Sequence, residues 1–192
     1  MSLFADYQPK DQVTAPLDVA NGLTIREAET RDFSRLALIA AEREETTPDV
    51  QLKLFEKQLL HQETGQSMIL VAEVLGEIGG FGKCAYCKPP AGAPANAAPE
   101  GWYLTGVIVA PKFRRRRIGH QLTQARLQWL ARRTSKAYYF ASAQNRVTIE
   151  LHRQLGFVEV TRDFSFPNVT FTGGVGILFE MDLRLLRTED RP

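Results

Sequence analysis

The sequence predicts an α/β fold with a mixed sheet. Short stretches in which apolar residues alternate with polar ones, or run on continuously, are typical of strands, and longer stretches with apolar residues at i, i+3 and i+4 are typical of helices. These stretches occur in the order strand, two helices, three strands, and then helix, strand, helix and two strands. With 192 residues, of which 44% are hydrophobic, the chain has the length of one ordinary domain and enough apolar surface for a core.

The amino-terminal elements are a strand and two amphipathic helices. Leu23 and Ile25 alternate with polar residues, which predicts a half-buried strand over 23–27. Thr30 is the predicted N-cap of the first helix, and residues 46–48 break that helix. The predicted apolar stripe of the first helix is Phe33, Leu36, Ile39 and Ala40, and that of the second is Val50, Leu54, Leu59 and Leu60.

Three strands follow in the middle of the chain. The continuous apolar run 68–72 predicts a strand that is buried on both faces. A turn at 75–77 leads to a second strand over 78–86, which its glycines loosen. The segment 88–99 is rich in Pro and Ala and is predicted to be an exposed loop before the third strand, over 102–109.

The carboxy-terminal half alternates between helices and strands. The predicted elements are a helix over 118–132, a strand over 137–143, a helix over 147–154, and strands over 157–160 and 175–183. The apolar stripe of the first of these helices is Ile118, Leu122, Ala125 and Trp129, and Gly156 ends the second. We expect an arm over 1–21, a domain over 22–187 and a tail over 188–192.

Composition narrows the function classes. The net charge of +2 does not favour a polyanion binder. Cys84 and Cys87 do not form a disulfide framework, and this lone Cys-x-x-Cys predicts neither a metal site nor a redox site. No apolar run reaches the ~18 residues that a membrane helix needs, and no secretory signal is evident. We therefore expect a reduced, cytoplasmic protein with no metal and no membrane partner.

The turn from Phe113 to His120 is the stretch with the clearest chemistry. A predicted strand leads into it, and a helix begins near Ile118. The first amides of a helix and the positive end of its dipole accept phosphate. Gly119 lacks a Cβ, so the backbone can approach a bulky anion closely. The run Arg114–Arg117 can pair with phosphates, although such a run is also typical of solvated surface charge.

The segment from Val109 to Leu122 resembles the acyl-CoA-binding motif of the GNAT acyltransferase superfamily, in which valine, any residue and proline lead into Arg/Gln-x-x-Gly-x-Gly/Ala. Arg114 and Gly119 match that motif, whereas Arg117 stands where the first glycine usually is. A second match consists of Asn145, Leu151, His152, Gly156 and Phe157. The opening Leu23-Thr24-Ile25-Arg26 followed by Asp32 is also similar to the start of the fold, and the resemblance extends to Leu183.

The resemblance implies a single-domain GNAT-like fold, with a mixed, mostly antiparallel sheet whose splayed central strands are flanked by helices. It implies an N-acetyltransferase that moves an acetyl group from acetyl-CoA to a primary amine by direct attack on the thioester. Backbone groups near two strand residues and the side chain at 145 would hold the pantetheine arm, and the turn would hold the pyrophosphate. The cofactor-binding residues so implied are Ile108, Val109, Arg114, Arg115, Arg116, Arg117, Ile118, Gly119, His120, Asn145 and His152.

Two catalytic roles are predicted less directly. His152 stands where the family usually has a tyrosine that protonates the CoA thiolate, so it is either a general acid or a residue that fills the tyrosine's space. Many relatives carry a glutamate on the strand that here spans 102–109, but this strand has no acidic residue and shows Tyr103 near that position. Glu100 and Glu73 are the remaining base candidates, and both are also typical surface carboxylates.

Two other function classes stay open. A CoA-binding module of the same fold without catalysis would explain the missing base and tyrosine, and a nucleic-acid-binding domain would use the arginine run but disagrees with the low net charge. The expected partner is a small-molecule or protein amine, and homodimer formation is kept open. The acceptor site would be shaped by 31–62 and 164–174. Asp49, Glu56 and Glu63 could meet a cationic amine, although such residues are more often solvated helix carboxylates.

Overall fold

The computed structural model describes residues 22–171 and 173–187, so the predicted arm over 1–21 and tail over 188–192 lie outside the described residues. The described residues form seven strands and four α-helices in the predicted order. Their bounds are β1 (Leu23–Glu27), α1 (Phe33–Glu44), α2 (Pro48–Glu63), β2 (Ser67–Val74), β3 (Glu77–Cys87), β4 (Gly101–Val109), α3 (Ile118–Ala131), β5 (Lys136–Ser142), α4 (Arg146–Gln154), β6 (Val158–Thr161) and β7 (Gly176–Asp182).

The sheet has the strand order β1-β2-β3-β4-β5-β7-β6. The pairs β1–β2, β2–β3, β5–β7 and β6–β7 are antiparallel, and β4 pairs in parallel with β5 at Tyr103 and Tyr138. The predicted α/β class with a mixed, mostly antiparallel sheet is therefore confirmed.

The chain divides into two compact units, which are described separately. The amino-terminal unit comprises 22–85 and 105–126 among the described residues, and the carboxy-terminal unit comprises 86–104 and 127–187. Strands β3 and β4 and helix α3 each contribute residues to both units.

The core of the amino-terminal unit forms where α1 and α2 cover the strands. Strand β2 is buried along nearly its whole length, as its continuous apolar sequence predicts. The predicted stripe of α1 is also confirmed, since all four of its residues are buried. The ring of Phe55 from α2 joins the two layers, because its centroid lies 5.9 Å from that of Phe33 and 5.3 Å from that of Phe81.

Two details predicted for these helices were wrong. Thr30 is not the N-cap of α1, because it begins a short 3-10 turn over Thr30–Asp32, and Asp32 occupies the cap position. In α2, Val50 and Leu54 are 47% and 55% exposed, whereas Phe55 is buried. The buried stripe of α2 is therefore shifted by one position, since the large ring of Phe55 buries more apolar surface than Leu54 would.

The carboxy-terminal unit has an aromatic core. Tyr103 is fully buried, its ring stacks on Tyr138 with centroids 5.2 Å apart, and its hydroxyl donates to the Pro99 carbonyl at 2.6 Å. These tyrosines therefore pack inside the unit. The loop 88–99 is only partly exposed as predicted, because Ala98 is buried and its N–H donates to the Ser165 carbonyl at 2.9 Å.

A cluster of charged side chains connects β1 to the start of α1. Asp32 is 4% exposed and accepts two hydrogen bonds from the Arg26 guanidinium, at 2.7 and 3.0 Å, and one from the Glu29 backbone N–H at 2.8 Å. The bonds from Arg26 hold the pKa of Asp32 below its usual range, and the Glu29 amide lowers that pKa further. Arg26 also donates to Glu73 at 3.1 Å. The ion pair between Arg26 and Asp32 is a physical reason for an arginine in β1 and an aspartate just before α1.

We predict that Asp32→Ala lowers the free energy of unfolding by about 3 kcal/mol, because it removes the buried carboxylate that accepts two hydrogen bonds from Arg26 and one from the Glu29 amide. Glu73→Gln is the matched control and should cost about 1 kcal/mol or less, since Glu73 is the more exposed partner. The Asp32 contribution is present above the unfolded-state pKa of about 3.9 and is lost as pH falls through the lower folded-state pKa. Urea unfolding from pH 7 to pH 3 measures both effects, and equal losses for the two variants would contradict this role.

Candidate functional site

The predicted strand–turn–helix arrangement is present in the amino-terminal unit. Strand β4 ends at Val109, and the Ala110 N–H donates to the Gly79 carbonyl of β3 at 2.8 Å. A 3-10 turn over Pro111–Phe113 follows, and α3 begins at Ile118. Proline sits at the first position of the 3-10 turn, where its missing N–H costs nothing.

Glycines in β3 allow this turn to approach the sheet. A Cβ placed on Gly79 would lie 2.9 Å from the ring of Phe113, and one on Gly80 would lie 2.7 Å from the Ile108 carbonyl oxygen. Phe113 is buried, so it anchors the turn against β3. The sequence predicted that these glycines only loosen β3, but they also make room for the turn and β4.

The backbone of the arginine run is unusual. Arg115 and Arg117 both have φ of 61°, in the left-handed region, whereas Arg116 between them does not. This conformation costs an L-residue roughly 1–2 kcal/mol. Arg117, which stands where the motif it resembles has glycine, therefore adopts a left-handed backbone of the kind that favours glycine. Alternating conformations of this kind turn successive N–H groups into an anion-binding concavity.

Helix α3 opens directly onto this concavity. The amides of Ile118, Gly119 and His120 form its first turn and have no acceptor within the helix. Gly119 has no positive φ, and a Cβ on it would meet only the Val109 side chain, at 3.9 Å. Neither the backbone conformation nor internal packing requires glycine at this position. The space beside these amides therefore fits a ligand that approaches the backbone closely, such as a pyrophosphate.

The side chains of the four arginines have different surroundings. The Nε of Arg114 donates to the Val109 carbonyl at 3.0 Å, so this side chain braces the turn. The guanidinium of Arg116 lies 5.9 Å from the Phe113 ring centroid. Arg115 and Arg117 are exposed. Their side chains are the ones placed to meet an anion from solvent, while the binding role of all four stays a prediction.

A buried arginine that the sequence analysis did not single out fixes β3 and β4 from the side of α3. Arg126 is 1% exposed, and its guanidinium donates to the carbonyls of Lys83 at 3.0 Å and Gly106 at 3.2 Å and to the Thr123 hydroxyl at 2.8 Å. The predicted stripe of α3 was correspondingly incomplete: Ile118 and Leu122 are buried, but Ala125 and Trp129 are only half-buried. The sequence did contain a sign of this, because Arg126 lies four positions after Leu122 and therefore on the same face of the helix.

Asn145 and His152 belong to the carboxy-terminal unit. Asn145 is the N-cap of α4, and its side-chain oxygen accepts from the Thr148 N–H at 3.3 Å. The sequence analysis missed this capping role, which Asn fills well. It fixes the orientation of the Asn145 side chain, and contact with the pantetheine arm stays a prediction.

His152 is buried in an aromatic setting. It is 2% exposed, and its ring stacks on Tyr139 of β5 with centroids 3.6 Å apart and an interplanar angle of 2°. The edge-to-face contact with Phe157 is 5.3 Å between centroids. The Nδ1 atom lies 2.8 Å from the Thr148 carbonyl oxygen, which only accepts, so Nδ1 carries a proton and Nε2 is the ring nitrogen that can gain or lose one.

The two base candidates from the sequence lie in surface ion pairs. Glu73 accepts from Arg26, as described above. The Glu100 carboxylate accepts from the Tyr86 hydroxyl at 2.8 Å and lies 3.8 Å from the Lys88 Nζ. Both carboxylates are engaged in these contacts, and a base role for either stays a prediction.

Two cysteines and the polar residues of α2 remain to be placed. Cys84 and Cys87 are free thiols, and burial raises the pKa of Cys84 to about 12 and that of Cys87 to about 11, so both are protonated at neutral pH. His61, Asp49 and Glu56 are exposed on α2. Within 22–171 and 173–187, no cluster of His, Cys, Asp and Glu could hold a metal ion, and no helix has the length and hydropathy to span a bilayer.

Comparison with protein families decides the identity of the fold. The model of the acetyltransferase (GNAT) family matches residues 24–157, which is more than half of the chain. The chain belongs to the GNAT acetyltransferase family. No curated protein sequence matches this GNAT chain.

Solved structures share this GNAT fold at low sequence identity. YncA from Salmonella typhimurium, solved with its cofactor acetyl-CoA, is 19% identical with a TM-score of 0.63, covering 85% of this chain and 95% of its own. A ribosomal-protein-alanine N-acetyltransferase from Brucella melitensis is 21% identical with a TM-score of 0.62, covering 83% and 99%. A point mutant of the spermidine N-acetyltransferase SpeG from Vibrio cholerae is 16% identical with a TM-score of 0.64, covering 89% and 99%.

We predict that glycine and alanine have opposite orders of stability at Arg117 and Arg116. At Arg117 the left-handed backbone favours glycine, so Arg117→Gly should exceed Arg117→Ala in free energy of unfolding by about 1 kcal/mol. At Arg116 the order should reverse by about 0.5–1 kcal/mol, because glycine loses more entropy on folding. Chemical denaturation of the four variants measures this, and because each pair removes the same arginine, lost side-chain contacts cancel. The same order at both positions would contradict the turn geometry.

Proposed function

We propose that this protein transfers an acetyl group from acetyl-CoA to a primary amine, by direct attack of the amine on the thioester. The observation that carries the proposal is the turn between β4 and α3. Two arginines of this turn have a left-handed backbone, the first-turn amides of α3 have no acceptor within the helix, and the space at Gly119 is unfilled. Together these features are suited to binding a pyrophosphate. Family membership supports acyl-CoA as the donor, and YncA of the same fold was solved with acetyl-CoA.

Each predicted binding residue receives a task in this proposal. The amides of 114–120 bind the pyrophosphate, and Arg115 and Arg117 pair with phosphates from solvent. Backbone groups of Ile108 and Val109 hold the pantetheine arm, together with the capped side chain of Asn145. When bound, acetyl-CoA supplies the activated acetyl group, and the protein supplies the groups that orient it and move protons.

The acceptor is proposed as an amine on a small molecule or on a protein. Structural relatives are named for spermidine and for a ribosomal-protein alanine as substrates. We propose a cytoplasmic location for this reaction, since both kinds of acceptor occur there.

The direct test is release of free thiol from acetyl-CoA with a panel of acceptors: spermidine, an aminoglycoside, free amino acids and a peptide with an N-terminal alanine. Mass spectrometry of the product should show an acetyl group on the amine nitrogen. If CoA binds by calorimetry but no acceptor gives turnover, the protein acts as a CoA-binding module. If CoA does not bind, the proposed function is wrong.

We predict that Gly119→Ala separates stability from binding. Alanine favours the helix by up to about 1 kcal/mol over glycine, and its Cβ meets only a contact at 3.9 Å, so the free energy of unfolding should not fall. The same Cβ should obstruct the pyrophosphate and raise the Kd for CoA about tenfold or more, measured by calorimetry. Gln121→Ala, on an exposed position of the same helix, is the control and should leave the Kd unchanged. Wild-type affinity in the Gly119 variant would refute the turn as the pyrophosphate site.

We propose that His152, in its charged form, is the acid that protonates the CoA thiolate through Nε2, and we predict that His152→Phe lowers turnover by about a hundredfold or more. Phenylalanine keeps the stacking on Tyr139, so the fold and the Kd for CoA should be preserved. His152→Tyr should restore part of the activity, because a phenol also donates a proton. Near-normal turnover of the Phe variant at saturating acetyl-CoA would mean that His152 only fills space.

A further inference from the structure

Strand β3 presents a lysine on the face that α1 and α2 cover. Phe81 and Lys83 alternate with residues of the opposite face, and Phe81 is buried against Phe55 of α2. On the opposite face, a Cβ placed on Gly82 would lie 2.9 Å from the Arg126 side chain. Lys83 is half-buried, and its Nζ lies 5.8 Å from the Phe55 ring centroid. A lysine amine is thus held within an aromatic layer of the amino-terminal unit.

The amine end of Lys83 lies against an irregular point of β4. Gly106 has φ of 84° within that strand, and a Cβ on Gly106 would lie 3.8 Å from the Lys83 Cε. The guanidinium of Arg126 donates to the carbonyls of both residues, so their backbones are fixed against each other. Gly106 is two residues before Ile108, whose backbone is proposed above to hold the pantetheine arm. Lys83 therefore flanks the part of β4 along which the thioester would lie.

Few charges oppose the loss of a proton from this amine. The acidic group that acts on Lys83 is Glu44, at the end of α1, and from α3 the Arg126 guanidinium contacts the Lys83 carbonyl. From α2 the contact is the uncharged ring of Phe55. Burial lowers the pKa of Lys83, and Glu44 raises it in part. Burial also raises the pKa of the Glu44 carboxyl.

We infer that Lys83 is the general base that removes the proton from the acceptor ammonium. This inference rests on the proposed function and assigns the base role to a residue other than Glu73 and Glu100, whose carboxylates accept hydrogen bonds from Arg26 and Tyr86. The neutral Lys83 amine takes one proton from R–NH₃⁺ and becomes an ammonium. The free R–NH₂ then forms the new C–N bond, and the C–S bond breaks with its electron pair on sulfur. The thiolate takes a proton from His152, and the second proton that the nitrogen loses on becoming an amide replaces it. Lys83 returns its proton to solvent, which leaves the amide, CoA thiol and one released proton.

The experiment compares Lys83→Met with Lys83→Arg in the full chain. Methionine matches the length of the lysine stem without an amine, so the fold and the Kd for CoA should be retained. Arginine keeps a positive charge but cannot be deprotonated in a protein. With ethylamine as acceptor, both variants should lose about a hundredfold or more in kcat/KM, the usual scale for a general base. If arginine restores activity, the residue acts as a cation and the inference is overturned.

A series of acceptors distinguishes a base from a residue that only supports the fold. Ethylamine, 2,2-difluoroethylamine and 2,2,2-trifluoroethylamine have similar shapes and decreasing basicity. The loss caused by Lys83→Met should shrink along this series, because the weakest base reaches the site without a proton to remove. A loss that is equal for all three amines would refute the base role.

The pH profile provides a second readout. A base must be unprotonated, so kcat/KM for ethylamine, which arrives as an ammonium, should rise with pH through the pKa of Lys83 in the wild type, whereas trifluoroethylamine should show no such rise. Glu44→Gln removes the charge that raises this pKa and should move the rise to lower pH. An unmoved profile in the Glu44 variant would contradict the assignment.

Failure of this inference is separable from failure of the proposed function. Wild-type turnover of ethylamine or of any acceptor in the panel establishes acetyl transfer, whatever Lys83 does. Wild-type turnover combined with an unimpaired Lys83→Met variant overturns the base assignment alone. The matched control is Lys136→Met at the exposed start of β5, which should leave kcat/KM unchanged.

Discussion

The amino-terminal unit depends on how closely β3, β4 and α3 approach one another. Glycines on β3 make this approach feasible, since a Cβ on Gly82 would lie 2.9 Å from Arg126 and one on Gly80 would lie 2.7 Å from the Ile108 carbonyl. A buried guanidinium is expensive to desolvate unless its donors are used. Arg126 uses them on backbone carbonyls of both strands and on Thr123, so the desolvation cost is offset where the strands must be held.

The turn before α3 carries strain and charge that the free fold does not need. Two arginines adopt left-handed backbone, and four positive side chains lie next to the positive end of a helix dipole. Both features are unfavourable in isolation. Both become favourable when a multiply charged anion binds, because the backbone amides converge on it and the arginines neutralise it. The strain and charge of this turn therefore agree with our proposal that it binds a pyrophosphate, which would offset both costs.

Most of what could be predicted from the sequence came from the strong periodicity of apolar residues and from local motifs. The order of elements, the buried stretch of β2 and the strand–turn–helix arrangement were predictable, because each depends on residues that are adjacent in sequence. The buried stripe of α2 was not predictable from residue spacing, because Phe55 is buried through its contacts with aromatic rings of α1 and β3. The N-cap at Asp32 was missed for a similar reason, because its main partner, Arg26, lies in β1.

The site residues show the same limit more sharply. The motif indicated Gly119 and Asn145, but only coordinates show that Gly119 is not needed for packing and that Asn145 also caps α4. Lys83 and Arg126 carry no sequence signal beyond a basic residue inside an apolar pattern. Their burial depends on glycines at 82 and 106, which are far apart in the chain and appear as weak strand positions when read alone.

Alternation along β3 links these features into one arrangement. Side chains at 81 and 83 face the aromatic layer of α1 and α2, whereas positions 82 and 84 face α3. One strand can therefore present an amine beside an aromatic layer on one face, while the buried Arg126 guanidinium holds its backbone from the other. A single guanidinium fixes the carbonyls of Lys83 and Gly106, so the position of the amine is set by the same bonds that shape β4. Because the same hydrogen bonds hold both strands, a proton-transfer group can have a fixed position here even though β4 carries no carboxylate.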